Sequence, residues 1–300
     1  MSYIIENANI LKDNHFIRKS VLIRDNRIAA LENKINRYHF MKMNAEPYIL
    51  TPTFVLLNSK IPVLSQFATF KKYMTEEFIL KGCTTFLTYV SVSSERDLHE
   101  NIEKMKTLLL SSPIDFLIGA KIPLTRITPA FIRSCKKEKI STIFMEIQGL
   151  DDFNGVPWGW IREALFPYNC TFFPIISEEL KKQEKAILAK WRETLVYEKI
   201  SGIDEIIEEN MPLKMNVLNK IGLIPQKSCF RHGAEVSYNL YLKSREIKNI
   251  DEKQLFLYHK DRLVVTVHKG NVIRAGVEVL FKPGNGEYVK VNIPSYFSIP

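Results

Sequence analysis

Between about residues 53 and 222, short apolar runs alternate with amphipathic stretches, and this rhythm constrains the fold more than any other feature of the chain. FVLL (54–57), TTFLTYVSV (84–92), DFLIGAKI (115–122), STIFMEI (141–147) and CTFFPII (170–176) are β-branched, aromatic and poor in charge. Such runs read as strands buried on both faces. The stretches 66–81, 95–111, 127–139 and 158–166 read as helices, and Ser177 opens a longer one reaching about 193. Gly82 is the expected C-cap of the first. Ser94 caps the second, and Thr128 caps the third ahead of Pro129 at its first position. Apolar strands separated by amphipathic helices predict a parallel sheet covered by helices. Five such units are present, whereas a closed (β/α)₈ barrel takes eight and about 250 residues. After 194 the pattern predicts further helix over 204–209 and 213–221.

The two ends read differently. RKSVLIR (18–24), a turn at Asp25-Asn26 and RIAAL (27–31) form a hairpin signal. Pro47 and Pro52 bracket YILT. From about 225, AEVSYNLYL (234–242), QLFLYH (254–259), RLVVTVHKG (262–270) and NVIRAGVEVL (271–280) read as strands, with a hairpin turn at Lys269-Gly270-Asn271. GNG at 284–286 is a turn between terminal strands, and the tail is read as extended. The expected fold class is α/β. An incomplete or distorted TIM-type (β/α) barrel spans 53–222, and a small β-sandwich is built from both chain ends, 1–52 and 223–300.

Composition narrows the function classes. The 300 residues are 46% hydrophobic and 25% charged, the balance of a soluble globular protein and not of a disordered one. The net charge of +9 raises nucleic acid as a partner. Its distribution argues against that, because the excess is spread over most of the chain and forms no stripe. Its densest cluster, Lys136-Lys137-Glu138-Lys139, reads as the solvated end of a helix. Cys83, Cys135, Cys170 and Cys229 are too far apart for a zinc knuckle or redox pair and read as buried free thiols. The opening MSYIIENANILKDN lacks a signal-peptide pattern, and no apolar run is long enough to span a membrane. These features place the chain in a reducing cytoplasm.

A small β region, a β/α region and a second β region, in that order, resemble the amidohydrolase superfamily, in particular its dihydropyrimidinase, hydantoinase and dihydroorotase branch. VLIRDNRIAAL (21–31) is similar to the family's opening hairpin, and YILTPTFVLLNS (48–59) to the run into its first barrel strand. KGCTTFLTYVS (81–91) resembles its Gly-Gly-Thr-Thr stretch. ITPAFIRSCKKEKISTIFM (127–145) resembles the helix and strand that lead to its metal-bridging lysine. ENMPLKMNVLNKIGLIPQKSCFRHGAEVSYNLY (209–241) resembles the late Asn-Pro-Ala helix and the return strand, and VTVHKGNVIRAGVEVLFKPGNGEYVKV (265–291) the closing hairpin and tail.

The resemblance implies a bacterial hydrolase with one or two divalent metals at the C-terminal strand ends, held by imidazoles, carboxylates and a carboxylated lysine. The residues depart from that pattern. Leu57-Asn58-Ser59-Lys60-Ile61 stands where two histidines are expected, and Ile143 falls near the bridging lysine. The units that carry most later ligands have no counterpart between about 195 and 208. Ala234-Glu235-Val236-Ser237 replaces the Ala-Asp-Ala-Asp return, and Pro212 follows Met211. His15, His39, His99, His232, His259 and His268 read as surface or sandwich histidines. The expectation is therefore no metal, no cofactor and a degenerate member of the family.

In a parallel β/α sheet, ligands gather beyond the C-terminal strand ends. The candidates there are Glu146 as a base, Lys121 as an anion-binding group, and Asp151. Asn58, Lys60, Gln148, Trp158 and Trp160 are candidate ligand-binding residues. Lys121 with Glu146 also reads as a plain ion pair. The tryptophans of NGVPWGWIRE (154–163) also read as a plug for an open barrel or as a partner anchor. Two readings of function stand. One is an amidohydrolase-like pseudoenzyme with a binding, assembly or regulatory role, paired with itself as a dimer or with a related full-length protein. The other is a divergent hydrolase of a small amide or ester with a metal-independent site. A nucleic-acid or anion binder rests on charge alone.

Overall fold

The computed structural model describes residues 2–12, 15–244, 247 and 250–294. The chain begins with β1 (Tyr3–Lys12), β2 (His15–Arg24), β3 (Arg27–Glu32), β4 (Met41–Asn44) and β5 (Tyr48–Pro52). β1, β2 and β3 form an antiparallel meander. Asp25 and Asn26 both have positive φ, 51° and 57°, as a two-residue hairpin turn that follows the strand twist requires.

The chain then alternates strand and helix: β6 (Phe54–Leu57), α1 (Phe67–Glu77), β7 (Cys83–Ser91), α2 (Glu95–Leu108), β8 (Asp115–Pro123), α3 (Pro129–Lys137), β9 (Thr142–Ile147), α4 (Trp158–Leu165), β10 (Thr171–Ile176) and α5 (Glu184–Tyr197). The five strands pair in parallel and in chain order, giving a curled parallel sheet. Alternate residues face opposite ways. Phe54, Leu56, Phe86, Ile118, Ile143 and Phe172 pack outward with α1–α5. Val55, Leu57, Leu87, Leu117, Phe144 and Phe173 pack inward.

The remaining elements are α6 (Met215–Lys220), β11 (Tyr238–Leu242), α7 (Glu252–Tyr258), β12 (Leu263–His268), β13 (Asn271–Ala275) and β14 (Glu278–Val279). β11 pairs antiparallel with β5 through five residue pairs from Tyr238↔Pro52 to Leu242↔Tyr48. That pairing joins both chain ends into one nine-stranded, mostly antiparallel sheet. The molecule is mixed α/β, with a curled parallel sheet and a separate sheet made from both ends.

Residues 201–213 resolve how the parallel sheet ends. Phe172 N–H donates to Ser201 O (3.0 Å) and Ile203 N–H to Phe172 O (2.8 Å), covering the β10 edge. Asn210 N–H donates to Leu57 O (2.9 Å) and Leu213 N–H to Val55 O (2.8 Å), covering the β6 edge. One segment therefore bonds to both strand edges that would otherwise be left without a neighbour. The helix expected over 204–209 is absent for this reason: a helix would satisfy its own backbone and leave those edges bare. Ile203, Leu213, Val217 and Leu218 also cover the inner face.

Other expectations need correction. QLFLYH lies largely in helix α7 and not in a strand. Gln254 N–H donates to Asp251 Oδ1 (2.6 Å) and Asp251 N–H to Gln254 Oε1 (3.2 Å), a capping box that starts a helix. The helix expected from Ser177 begins at Glu184 after a tight 3₁₀ turn over Glu178–Leu180, and the Ser177 side chain makes no capping bond. Ser94 precedes its helix, but its side chain caps no first-turn amide; its hydroxyl faces the Asp97 carboxylate. Thr128 caps as expected, accepting from Phe131 N–H at 3.1 Å. The first helix stops at Glu77 with Phe78 as its C-cap; Gly82, expected as that cap, instead closes the short 3₁₀ turn Ile79–Lys81 in the left-handed conformation (φ 77°). Lys136 is not simply solvated; it donates to the carbonyls of Ala164 (2.8 Å) and Phe166 (2.5 Å) and ties α3 to the end of α4. The expected strand 271–280 breaks at Gly276 (φ 61°). Residues 287–289 run extended beside β8, with Phe116 N–H donating to Glu287 O and Val289 N–H to Phe116 O. Beyond them the expected extended form gives way to bends and a turn over 292–294, and 295–300 lie outside the described residues. No helix of the described residues is long and apolar enough to cross a membrane.

Candidate functional site

The C-terminal ends of the parallel strands are where this architecture places ligands. Asn58 follows β6 directly and is fully buried. Its amide donates to the Tyr73 hydroxyl (2.7 Å) and to Asn210 Oδ1 (2.5 Å), and its carbonyl accepts Lys60 N–H (3.1 Å). Next to it, the Glu209 carboxylate accepts from Ser59 N–H (2.9 Å) and Ser59 Oγ (2.5 Å). Burial pushes the Tyr73 hydroxyl pKa up, against the hydrogen bond from Asn58. These groups bind the 209–210 backbone over the end of β6. Asn58 is thus a lock for the closing segment, and its donors are already used.

Lys121 from β8 and Glu146 from β9 meet at 2.9 Å, with both side chains partly exposed. The neighbouring-strand expectation for this pair holds geometrically. The other candidates are separate. Asp151 is exposed in a 3₁₀ turn, and Asp152 beside it accepts Gln148 N–H at 2.6 Å. The Gln148 and Lys60 side chains are exposed. Trp158 is half-buried against the outer core, whereas Trp160 points into solvent, 67% exposed. Inside the curl, Tyr89, Phe144 and Phe173 stack across β7, β9 and β10, with ring centroids 4.6 and 4.9 Å apart.

The donor set at the strand ends does not fit a divalent metal. Such a site needs about three imidazole, thiolate or carboxylate ligands converging on one point. Among the described residues, two groups converge in that way, and neither lies there. His99, Glu103 and Glu138 lie on the outer helical surface, where His99 Nδ1 is 2.9 Å from Glu138. Asp115, Glu235 and His268 lie at the opposite, N-terminal end of the parallel sheet. Glu146 is committed to Lys121 and Glu209 to Ser59.

The group around Asp115 was not anticipated. Asp115 is the first residue of β8 and is fully buried. Lys227 Nζ lies 2.5 Å from Asp115 and 2.5 Å from Glu235; Lys269 Nζ lies 2.8 Å from Asp115 and 2.8 Å from Glu287. His268 Nε2 donates to Asp115 Oδ2 at 3.2 Å, and Glu287 N–H donates to Oδ1 at 2.8 Å. Burial alone would raise the Asp115 pKa. The His268 hydrogen bond and the Lys227 charge overcome it and hold the carboxyl far below the usual carboxylate range. Burial acts to lower the Lys269 pKa, but its bonds to Asp115 and Glu287 win and raise it. Each of the three carboxylates is already paired with one or both of the two ammonium groups, so the cluster is an ion network in which every acid has a cationic partner. The one sequence signal was an aspartate heading an otherwise apolar strand; its partners are about 110 to 170 residues away and share no spacing.

All four cysteines are buried and free, as expected. A cleft of about 800 Å³ lies between the nine-stranded sheet and the segment 205–215; its position was not foreseen.

No family model matches the chain. No curated protein matches it either. Solved structures do. A D-hydantoinase aligns over 98% of this chain and 100% of its own, with a TM-score of 0.64 at 11% identity. A dihydropyrimidinase from Brevibacillus agri aligns over 100% of both chains, with a TM-score of 0.60 at 12% identity. An L-hydantoinase (dihydropyrimidinase) from Arthrobacter aurescens aligns over 96% of this chain and 99% of its own, with a TM-score of 0.56 at 11% identity. At these identities the likeness shows the fold and nothing finer.

Proposed function

The chain has an amidohydrolase-like fold, and from that premise we propose that it is a pseudoenzyme that acts by binding or assembly. We read the five-stranded sheet as a partial TIM-type barrel and the nine-stranded sheet as the counterpart of the family's β-sandwich. The observation that carries the proposal is the state of the strand ends. Asn58, Tyr73, Asn210 and Glu209 fasten the closing segment there, aromatic rings fill the curl, and no set of imidazoles and acids converges. In metal-assisted hydrolysis of a cyclic amide the metal activates water and polarises the carbonyl. The residues in place supply neither function. The proposed setting is a bacterial cytoplasm, with a second copy of the chain or a related full-length protein as partner.

A specific observation favours a second reading. The Lys121–Glu146 pair at a strand-end mouth has the parts of a metal-independent hydrolase, with Glu146 as base, Lys121 holding an anionic substrate group and Asp151 nearby in sequence to Glu146. One assay separates the readings. Purified protein is incubated with hydantoins, dihydropyrimidines and simple esters, with and without added zinc or manganese. The pseudoenzyme reading predicts no turnover above the buffer rate. Turnover abolished by Glu146→Gln supports the second reading, and turnover abolished by a chelator overturns both.

A further inference from the structure

The 800 Å³ cleft sits where the shortened barrel leaves a space between the closing segment and the nine-stranded sheet. Its floor is apolar and comes from separate parts of the chain. Ile10 and Ile17 come from β1 and β2, Leu31 from β3, and Met211 and Met215 from the far side. Its volume is that of a small-molecule site, and mainly apolar walls with a few polar groups are the usual composition of one. The cleft is half-open, with Met215 45% exposed at its far side. The charges at the rim are mostly engaged: Lys214 is held by both oxygens of Glu205 at 2.8 Å, and Lys253 by Glu208 at 3.0 Å. Carboxylates around the cleft (Glu205, Glu208, Asp251, Glu252) outnumber cations (Lys214, Arg231, Lys253).

We propose that this cleft binds an apolar small molecule whose polar end is uncharged or cationic. The proposal rests on the binding reading above and gives it a ligand class. Burying apolar surface supplies the affinity, at about 25 cal/mol per Å² before the losses of association. With Glu205 and Glu208 already paired, the remaining excess of one carboxylate disfavours an anionic head group. Cys229 lines the same cleft and is the least completely buried of the four thiols, so it serves as a reporter of occupancy.

The test uses the full chain and the neutral apolar dye Nile red, followed by fluorescence. The expected result is saturable binding of one dye per chain, displaced by dodecanol and by dodecyltrimethylammonium. Dodecanoate should displace it at least tenfold more weakly. Met215→Glu, at an exposed position, and Leu31→Glu, at a half-buried one, should each weaken binding at least tenfold. Dodecanol should slow Cys229 alkylation, read by mass spectrometry. Absence of saturable binding, equal displacement by dodecanoate, or binding untouched in a folded Met215→Glu protein would each overturn the proposal. None of these readouts involves metal content or hydrolysis, so failure here is distinguishable from failure of the pseudoenzyme reading.

Discussion

The Asp115 carboxylate accepts a hydrogen bond from His268 Nε2 at 3.2 Å, with both side chains fully removed from solvent. The contact joins the first residue of β8 to the last of β12, and so ties the parallel sheet to the nine-stranded one. Asn285 Nδ2 lies 3.4 Å from the other ring nitrogen. The ion network is then Asp115, Glu235 and Glu287 against Lys227 and Lys269. Replacing Asp115 by Asn removes the anion that faces two ammonium groups. Lys227 keeps Glu235 and Lys269 keeps Glu287, so neither charge is left unpaired and the loss is that of the hydrogen bonds to a buried carboxylate, about 1–3 kcal/mol. Urea unfolding of Asp115→Asn should show a loss of that size; a loss below ~1 kcal/mol would mean the network contributes little.

The same carboxyl sets a pH dependence. Its folded pKa lies below its unfolded value, which is about 3.9. Its contribution is therefore fully present above that value and is lost as pH falls toward the folded pKa. Lys269 has the opposite sign: its raised pKa contributes below about 10.4 and is lost as pH rises through the folded value. Thermal unfolding of the native sequence should become less favourable to the folded state below about pH 4. Asp115→Asn should flatten that acid limb, and an unchanged limb would assign it to other carboxylates.

Much of the barrel half was legible because each strand there is buried on both faces and each helix is amphipathic, so the sequence pattern carries the contact pattern. Thr128 was readable for the same local reason. Helix α7 was misread because Leu255, Phe256 and Leu257 look like a strand, and the Asp251/Gln254 box three residues apart outranks them. Residues 204–209 were misread because their conformation is set by the unpaired edges of β6 and β10, which no local pattern encodes. At the candidate site, the Lys121–Glu146 contact followed from strand adjacency. The Asn58 lock depended on Asn210, 152 residues away, and could not be foreseen.

Gly286 holds the tail against β8. A Cβ there would lie 1.9 Å from the Ile114 carbonyl oxygen, a backbone atom that cannot rotate aside. Gly286 N–H also donates to Ser112 O at 2.9 Å. Gly286→Ala should cost about 1–3 kcal/mol as overpacking. It should also speed amide exchange at Phe116 and Val289, which bond across this junction. Unchanged exchange at both amides would show that the tail is not anchored here.

A second copy of the chain is the proposed partner, and α4 and α5 offer a surface for it. Trp160 is 67% exposed and Tyr197 80% exposed, and Arg162 and Glu198, close to them in sequence, pair at 3.7 Å. Trp and Tyr are enriched among residues that dominate interfaces. Sedimentation velocity should show a dimer that Trp160→Ser with Tyr197→Ser converts to monomer. A monomer at every concentration, or a dimer indifferent to both changes, would remove this surface from the proposal.

The most direct measurement is metal stoichiometry. Protein is loaded with zinc or manganese, dialysed, and analysed for metal per chain, alongside His99→Ala and His268→Gln variants that disable the two converging groups away from the strand ends. Well below one ion per chain is expected for the native sequence. Retention of one or two ions in both variants, lost on Glu146→Gln or Glu209→Gln, would place a metal at the strand ends and contradict the account.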